Sequence, residues 1–145
     1  MAQTKARIGY GVLFKIESDA SPQAFITVGE VLNVKPPSLS RDAVDATHTE
    51  SPNGYREFIP GLKDGGEVSF DINFVPGATG ITTLLAQLGL DTASACKISL
   101  PGTPAYDWSF DAILTGFEPD APIDDKMTAS VTFKVTGQPS LAPAA

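Results

Sequence analysis

Asp45, His48 and Ser51 are near neighbours in this sequence and carry the side chains of a nucleophilic triad. In such a triad a histidine takes the serine proton and an aspartate orients the imidazole. The serine here lies in E-S-P-N rather than in a G-x-S-x-G elbow, and triads are rarely built from three such close neighbours. Metal chemistry fares no better. His48 is the only histidine, and neither C-x-x-C nor H-E-x-x-H spacing occurs. Asp124 and Asp125, or Asp42 with Asp45, offer paired carboxylates without the D-x-[DN]-x-[DN]-G order of a calcium loop, and they read as solvated turn aspartates. Gly65 and Gly66 lack the G-K-[ST] of a phosphate-binding loop and read as a turn. The single Cys96 has only Lys97 beside it to favour a thiolate, and reads as a small core residue. The residues thus predict no enzyme, no metal and no cofactor.

The elements that position these residues fit one domain. At 145 residues the chain can bury roughly 70% of the surface its unfolded form exposes. No apolar run approaches the roughly 20 residues that span a bilayer, so a soluble protein without membrane attachment is expected. Residues 1–7 contain Lys5 and Arg7, but the stretch 8–16 is broken by Gly9, Gly11 and Lys15, which argues against a secretory leader. The net charge of −7 disfavours tight binding to phosphate or anionic lipid. That acidity reads either as solvation or as a functional surface.

Alternation of apolar and polar residues predicts mainly strands. The stretch 9–16 gives a first strand, joined through a turn-rich 18–23 as a hairpin to 25–34, in which Gly29 marks a bulge or bend. Residues 41–49 form a strand running into a long loop, 48–66, and 67–75 answers it on the far side. In that last strand Val68, Phe70, Ile72 and Phe74 share one face. A helix is expected over 79–89, with Thr79 as N-cap, Ile81, Leu84, Leu85 and Leu88 on its apolar stripe, and Gly89 ending it. Strands follow at 96–100, 106–117 and 127–136, after which a Pro- and Gly-rich tail, 137–145, is expected to be flexible. The fold class is an antiparallel β-sandwich or barrel-like sheet with one flanking helix; the single domain covers 1–136, with 1–8 as an N-terminal arm.

Two features exceed what a plain sheet requires. The loop 48–66 is long for a compact domain yet holds Tyr55, Phe58 and Ile59, anchors suited to an interface, with Arg56, Glu57, Lys63 and Asp64 to set register by charge. The polar faces of three strands are short, hydroxylic and acidic: Glu67, Ser69, Asp71, Asn73; Asp107, Ser109, Asp111; Thr128, Ser130, Thr132, Lys134. They read either as an ordinary solvent face or as one smooth surface shared by neighbouring subunits.

The run S-P-N-G-Y-R-E-F-I-P-G-L-K-D-G-G-E-V-S-F-D at 51–71, within 44–74, closely resembles the major tail tube proteins of long, non-contractile-tailed bacteriophages. The similarity extends in order and length over most of the chain. It implies a tail-tube fold related to contractile-tail and type VI secretion inner tubes, and a virion protein assembled in the host cytoplasm into stacked hexameric rings. By the same resemblance DNA passes through without tight binding, and the partners are the chain itself and tape-measure, tail-tip and tail-terminator proteins. It places His48, Tyr55, Arg56, Glu57, Phe58, Ile59, Lys63 and Asp64 in inter-ring contacts. Glu67, Asp71, Asp107, Asp111 and Lys134 become candidates for the lumen wall. A type VI-like tube protein and a β-sandwich binding module for a carbohydrate or protein are the rival expectations, with a small hydrolase more distant.

Overall fold

In a computed structural model the described residues are 8–17, 25–89, 92–102 and 105–143. The expected 18–23 turn, the N-terminal arm apart from Ile8, and the last two residues of the tail lie outside them. Nine strands and one helix run in the order β1 (Leu13–Glu17), β2 (Phe25–Thr27), β3 (Val31–Lys35), β4 (Ser40–Asp45), β5 (Phe58–Asp64), β6 (Glu67–Asn73), α1 (Thr79–Gln87), β7 (Ser94–Leu100), β8 (Tyr106–Asp120) and β9 (Thr128–Pro143). Seven strands form one antiparallel sheet in the order β2-β1-β7-β8-β9-β6-β3, and β4 pairs with β5 alone.

The stretch 25–34, expected as one strand, is divided between the two edges of this sheet. Gly29, at φ +24°, turns the chain from β2 to β3. Val28 N–H still bonds to Phe14 on one edge, and Glu30 accepts from Asn73 N–H on the other. Consecutive residues therefore bridge opposite edges, which requires a rolled sheet. Inside the roll, Phe14, Phe70 and Phe133 form an aromatic stack, with ring centroids 4.3 Å and 5.4 Å from Phe14, and Ile16, Val68, Ile72, Ile98 and Val131 fill the space around it. Each large apolar side chain removed from water in this way stabilises the fold by roughly 1.5–3 kcal/mol.

The alternation read for 67–75 holds: Val68, Phe70 and Ile72 are buried, and Phe74 is partly buried against Phe117. Its expected partner does not hold, because β6 pairs with β3 and β9 while the 41–49 segment pairs with residues of the supposed loop. The helix occupies the expected place with two differences. Ala78 is its N-cap, without a side-chain bond, and Thr79 is already helical, its carbonyl accepting from the Thr83 hydroxyl. Ile81 and Leu84 are buried, but Leu85 and Leu88 face outward. Gly80 lies on the 27–29 crossover so closely that a Cβ would come within 3.0 Å of Gly29 N. The helix thus packs against the connection that rolls the sheet.

The tail requires a correction. Residues 137–143, expected to be loose, continue β9 and pair along the start of β8, from Ser140 opposite Ser109 to Pro143 opposite Tyr106. Gly137, at φ +79°, sits at the register shift that lets the strand resume.

Candidate assembly interface

The segment 48–66 is not a loop but the tip and second strand of a hairpin. Val44 faces Ile59, Asp45 faces Phe58 and Pro60 lies opposite Ala43, and a register shift between Arg41 and Ala43 falls opposite Gly61 and Leu62. At the tip, Pro52–Gly54 makes one 3-10 turn in which Asn53 takes a left-handed φ of 54°. All six residues of β4 are exposed. The ribbon joins the main sheet through its base.

Polar bonds at the tip occupy the residues that suggested a triad. Ser51 Oγ donates to Glu57 Oε2 at 2.8 Å and accepts from His48 N–H at 3.0 Å. His48 Nδ1 accepts the Glu50 N–H at 3.2 Å, while Nε2 lies 3.3 Å from Glu57 Oε2. Asp45 accepts from Thr47 N–H at 2.9 Å, and Thr47, through hydroxyl and N–H, holds the Asp45 carboxyl below its ordinary range. The serine therefore addresses a glutamate and the aspartate addresses a threonine. This network shapes a turn, with Glu57 at its centre; it does not activate a nucleophile. Cys96 is equally unsuited to attack. It is buried, and its thiol is pushed up to about 12 by desolvation, then by Asp111 and Glu17. Lys97 points to the other face, 4.4 Å above the Phe25 ring.

What the tip presents is apolar. Tyr55 is 74% exposed, Phe58 56% and Ile59 54%, with Val44 beside them. The ribbon also carries Leu62, 84% exposed, which the sequence reading missed although it lies two residues after Pro60 in the same strand. A monomer gains nothing by holding these side chains in water. Of the cations, Arg41 donates Nε–H to Gly61 O at 3.2 Å, while Lys63 pairs in register with Arg41.

At the base, the Asp64 side chain is 56% exposed and engaged within its own chain. It lies 3.2 Å from Lys134 Nζ and accepts from Gly66 N–H at 2.8 Å. The Gly66 N–H and then Lys134 hold its carboxyl below the usual range. Gly65 packs on Val135, and Gly66, at φ +72°, lies against the Ser38 carbonyl with no room for a Cβ. An expected inter-ring residue and an expected lumen residue thus latch the arm to the body.

The remaining lumen candidates lie on neighbouring strands of the main sheet. Glu67 faces Lys134, and Asp71 accepts from the Ser130 hydroxyl at 2.9 Å, so the polar faces of β6 and β9 adjoin. Asp107 and Asp111 lie on β8 between β7 and β9, opposite Ser99 and Ala95 on one side and Ala142 and Thr136 on the other. Among the described residues no cluster of three or more His, Cys, Asp or Glu could hold a metal.

A rolled antiparallel sheet bearing an apolar ribbon, with its polar groups engaged in shaping that ribbon, defines a protein of assembly. The chain belongs to the lambda phage tail tube protein family, whose model matches residues 11–142. It is a structural, tube-forming virion protein and not an enzyme. No curated protein matches the sequence. Solved structures with the same fold include a chain of the virion of native gene transfer agent particle, with TM-score 0.75 and 16% identity over 94% of this chain and 99% of that one. A chain in the tail of an empty gene transfer agent particle with C6 symmetry gives 0.73 and 17%, over 97% and 100%. A chain in the six-fold symmetrised baseplate of the anti-feeding prophage gives 0.73 and 8%, over 97% and 98%.

Proposed function

We propose that this protein is the repeating subunit of a phage tail tube, built as stacked six-membered rings, and that the β4–β5 hairpin locks each ring to the next. The observation that carries the reading is the hairpin itself: a latched ribbon with Tyr55, Phe58, Ile59 and Leu62 in solvent. Membership in the tail tube family and the six-fold symmetry of assemblies containing the same fold support the ring. In this reading His48 and Glu57 shape the tip, and Arg56 and Lys63 set register with the neighbour. The acidic polar faces, with Glu67, Asp71, Asp107 and Asp111 as candidates, line a lumen that lets DNA slide, since six copies multiply a charge of −7. Tape-measure, tail-tip and tail-terminator proteins complete the tail, which is assembled in the host cytoplasm. Negative-stain electron microscopy over rising protein concentration, with and without tail-tip seeds, tests the reading. Hollow tubes or ring stacks are expected; monomers under every condition would overturn it.

A further inference from the structure

Where the hairpin leaves the body, a cleft of about 350 Å³ opens between the ribbon and the Gly137 bulge of β9. It is far larger than the roughly 30 Å³ share of one water molecule, so it admits a whole side chain. Leu39 and Pro139 give it apolar walls, and Arg41, Lys63 and Asp64 supply its charged groups. The Asp64 carboxyl is already engaged, by Lys134 Nζ at 3.2 Å and by the Gly66 N–H at 2.8 Å. The two cations are not. Arg41 and Lys63 stand directly opposite each other across the ribbon, a like-charge pairing that costs stability, and neither forms an ion pair with a described carboxylate. Arg41 gives its Nε–H to Gly61 O, which leaves the other N–H groups of its guanidinium available. Asp42 follows Arg41 in sequence but stands on the opposite face of β4 with Val44, where a Cβ on Gly61 would come within 3.1 Å and 3.0 Å of the two side chains. It does not line the cleft.

In a tube of one repeating chain, a feature on one copy meets a different surface on the next, because a head-to-tail contact is heterologous. The matching surface lies at the far end of β6, which runs about 20 Å from Glu67 to Asn73 at roughly 3.3 Å per residue. There Asn73 pairs with Thr128, which on its other side pairs with Asp120, and residues 121–127 turn from β8 into β9. Glu118, Asp120, Asp124 and Asp125 stand in this stretch against the single cation Lys126, and none of them is in an ion pair with a described residue. Ile123, among them, is fully exposed. We infer that the cleft at the base of the hairpin is the receptor for the 120–127 turn of the next copy. Ile123 enters between Leu39 and Pro139, and Asp124 and Asp125 reach Arg41 and Lys63. Each side supplies what the other lacks: carboxylates for two cations without partners, and an apolar cover for an aliphatic side chain held in water. The inference rests on the reading of the hairpin as a contact between rings, and adds that the rings also meet at the arm's base.

The test uses disulfide trapping between full-length chains, for which the buried Cys96 gives little background. Protein carrying Leu39→Cys, at a position 60% exposed, is mixed with protein carrying Ile123→Cys. Tubes are grown at high concentration or on tail-tip seeds, and the mixture is oxidised. A covalent dimer of the two variants, absent when either is oxidised alone, is expected. Leu85→Cys, on the outward face of α1, serves as the competing occupant. A Leu39–Leu85 link in place of Leu39–Ile123, or no link in well-formed tubes, overturns the inference and leaves the hairpin reading standing. In parallel, Lys63→Glu sets a carboxylate opposite Arg41, so the melting temperature of the monomer is expected to hold or rise while the concentration needed for tubes rises roughly tenfold. Adding Asp124→Lys and Asp125→Lys to the same chain is expected to recover part of that loss. Tubes at the wild-type concentration from Lys63→Glu, or no recovery in the triple variant, count against the contact. Failure of the hairpin reading looks different: tubes form normally when Tyr55 and Phe58 are both truncated.

Discussion

Truncating the tip of the hairpin separates folding from assembly more cleanly than any other change. Tyr55 and Phe58 are 74% and 56% exposed in the single chain, so Tyr55→Ala with Phe58→Ala removes little that the monomer uses. Exposed substitutions of this kind usually alter stability by no more than about 0.5 kcal/mol each. In a tube the arithmetic reverses. An aromatic side chain can bury roughly 150–250 Å², so the exposed fractions of this pair amount to about 250 Å². Covering half of that area is worth about 3 kcal/mol per arm at about 25 cal/mol per Å². Since about 1.4 kcal/mol is a factor of ten, the concentration required for elongation should rise about a hundredfold. Circular dichroism melting gives the first quantity, and sedimentation of tubes across a dilution series gives the second. An unchanged melting temperature with the hundredfold loss is expected. Tubes at wild-type concentration would refute the assignment of these residues as anchors.

Three further outcomes follow from the latch and the core. Gly66→Ala requires a side chain at φ +72° against the Ser38 carbonyl, and should cost more than about 2 kcal/mol, measured by chemical denaturation; a neutral result contradicts the base geometry. The Asp64 carboxyl is held below its ordinary value, so its bond to Lys134 contributes fully above the unfolded pKa near 3.8 and is lost as pH falls through the lower folded value. Amide exchange at Gly66 should therefore accelerate in that acidic window, and Asp64→Asn should abolish the pH step. Cys96, with a thiol pushed up to about 12, should resist thiol reagents at pH 8 in the folded protein and react at once in denaturant.

The core strands were legible because their burial follows the period of two without interruption. Val68, Phe70 and Ile72, or Val131, Phe133 and Val135, announce a one-sided strand whatever their partners. The hairpin was not legible as a strand pair. Pro60, Gly61, Gly65 and Gly66 are residues that break strands in a sheet interior, yet an isolated ribbon tolerates them, because its outer edge requires no N–H donors. Composition also misled at the tail, where Gly137 supplies the positive φ of a bulge and Pro143 ends a long strand rather than a linker. Tyr55, Phe58 and Ile59 were legible as interface candidates because apolar side chains in a polar segment have few other uses, and the structure leaves them exposed. Leu62 shares their exposure but was passed over within a Gly- and Pro-flanked stretch. Partnership between Asp64 and Lys134 joins residues seventy apart and leaves no local trace. The splitting of 25–34 between opposite sheet edges was hidden for the same reason, since only the rolled sheet shows that Gly29 is a crossing rather than a bulge.

A cryo-electron-microscopy map of tubes grown from the purified protein tests the central claim most directly. The account predicts six-membered rings in which Tyr55 and Phe58 of every hairpin are covered by a subunit of the adjoining ring. Rings that stack with the β4–β5 tips standing free in solvent would contradict it.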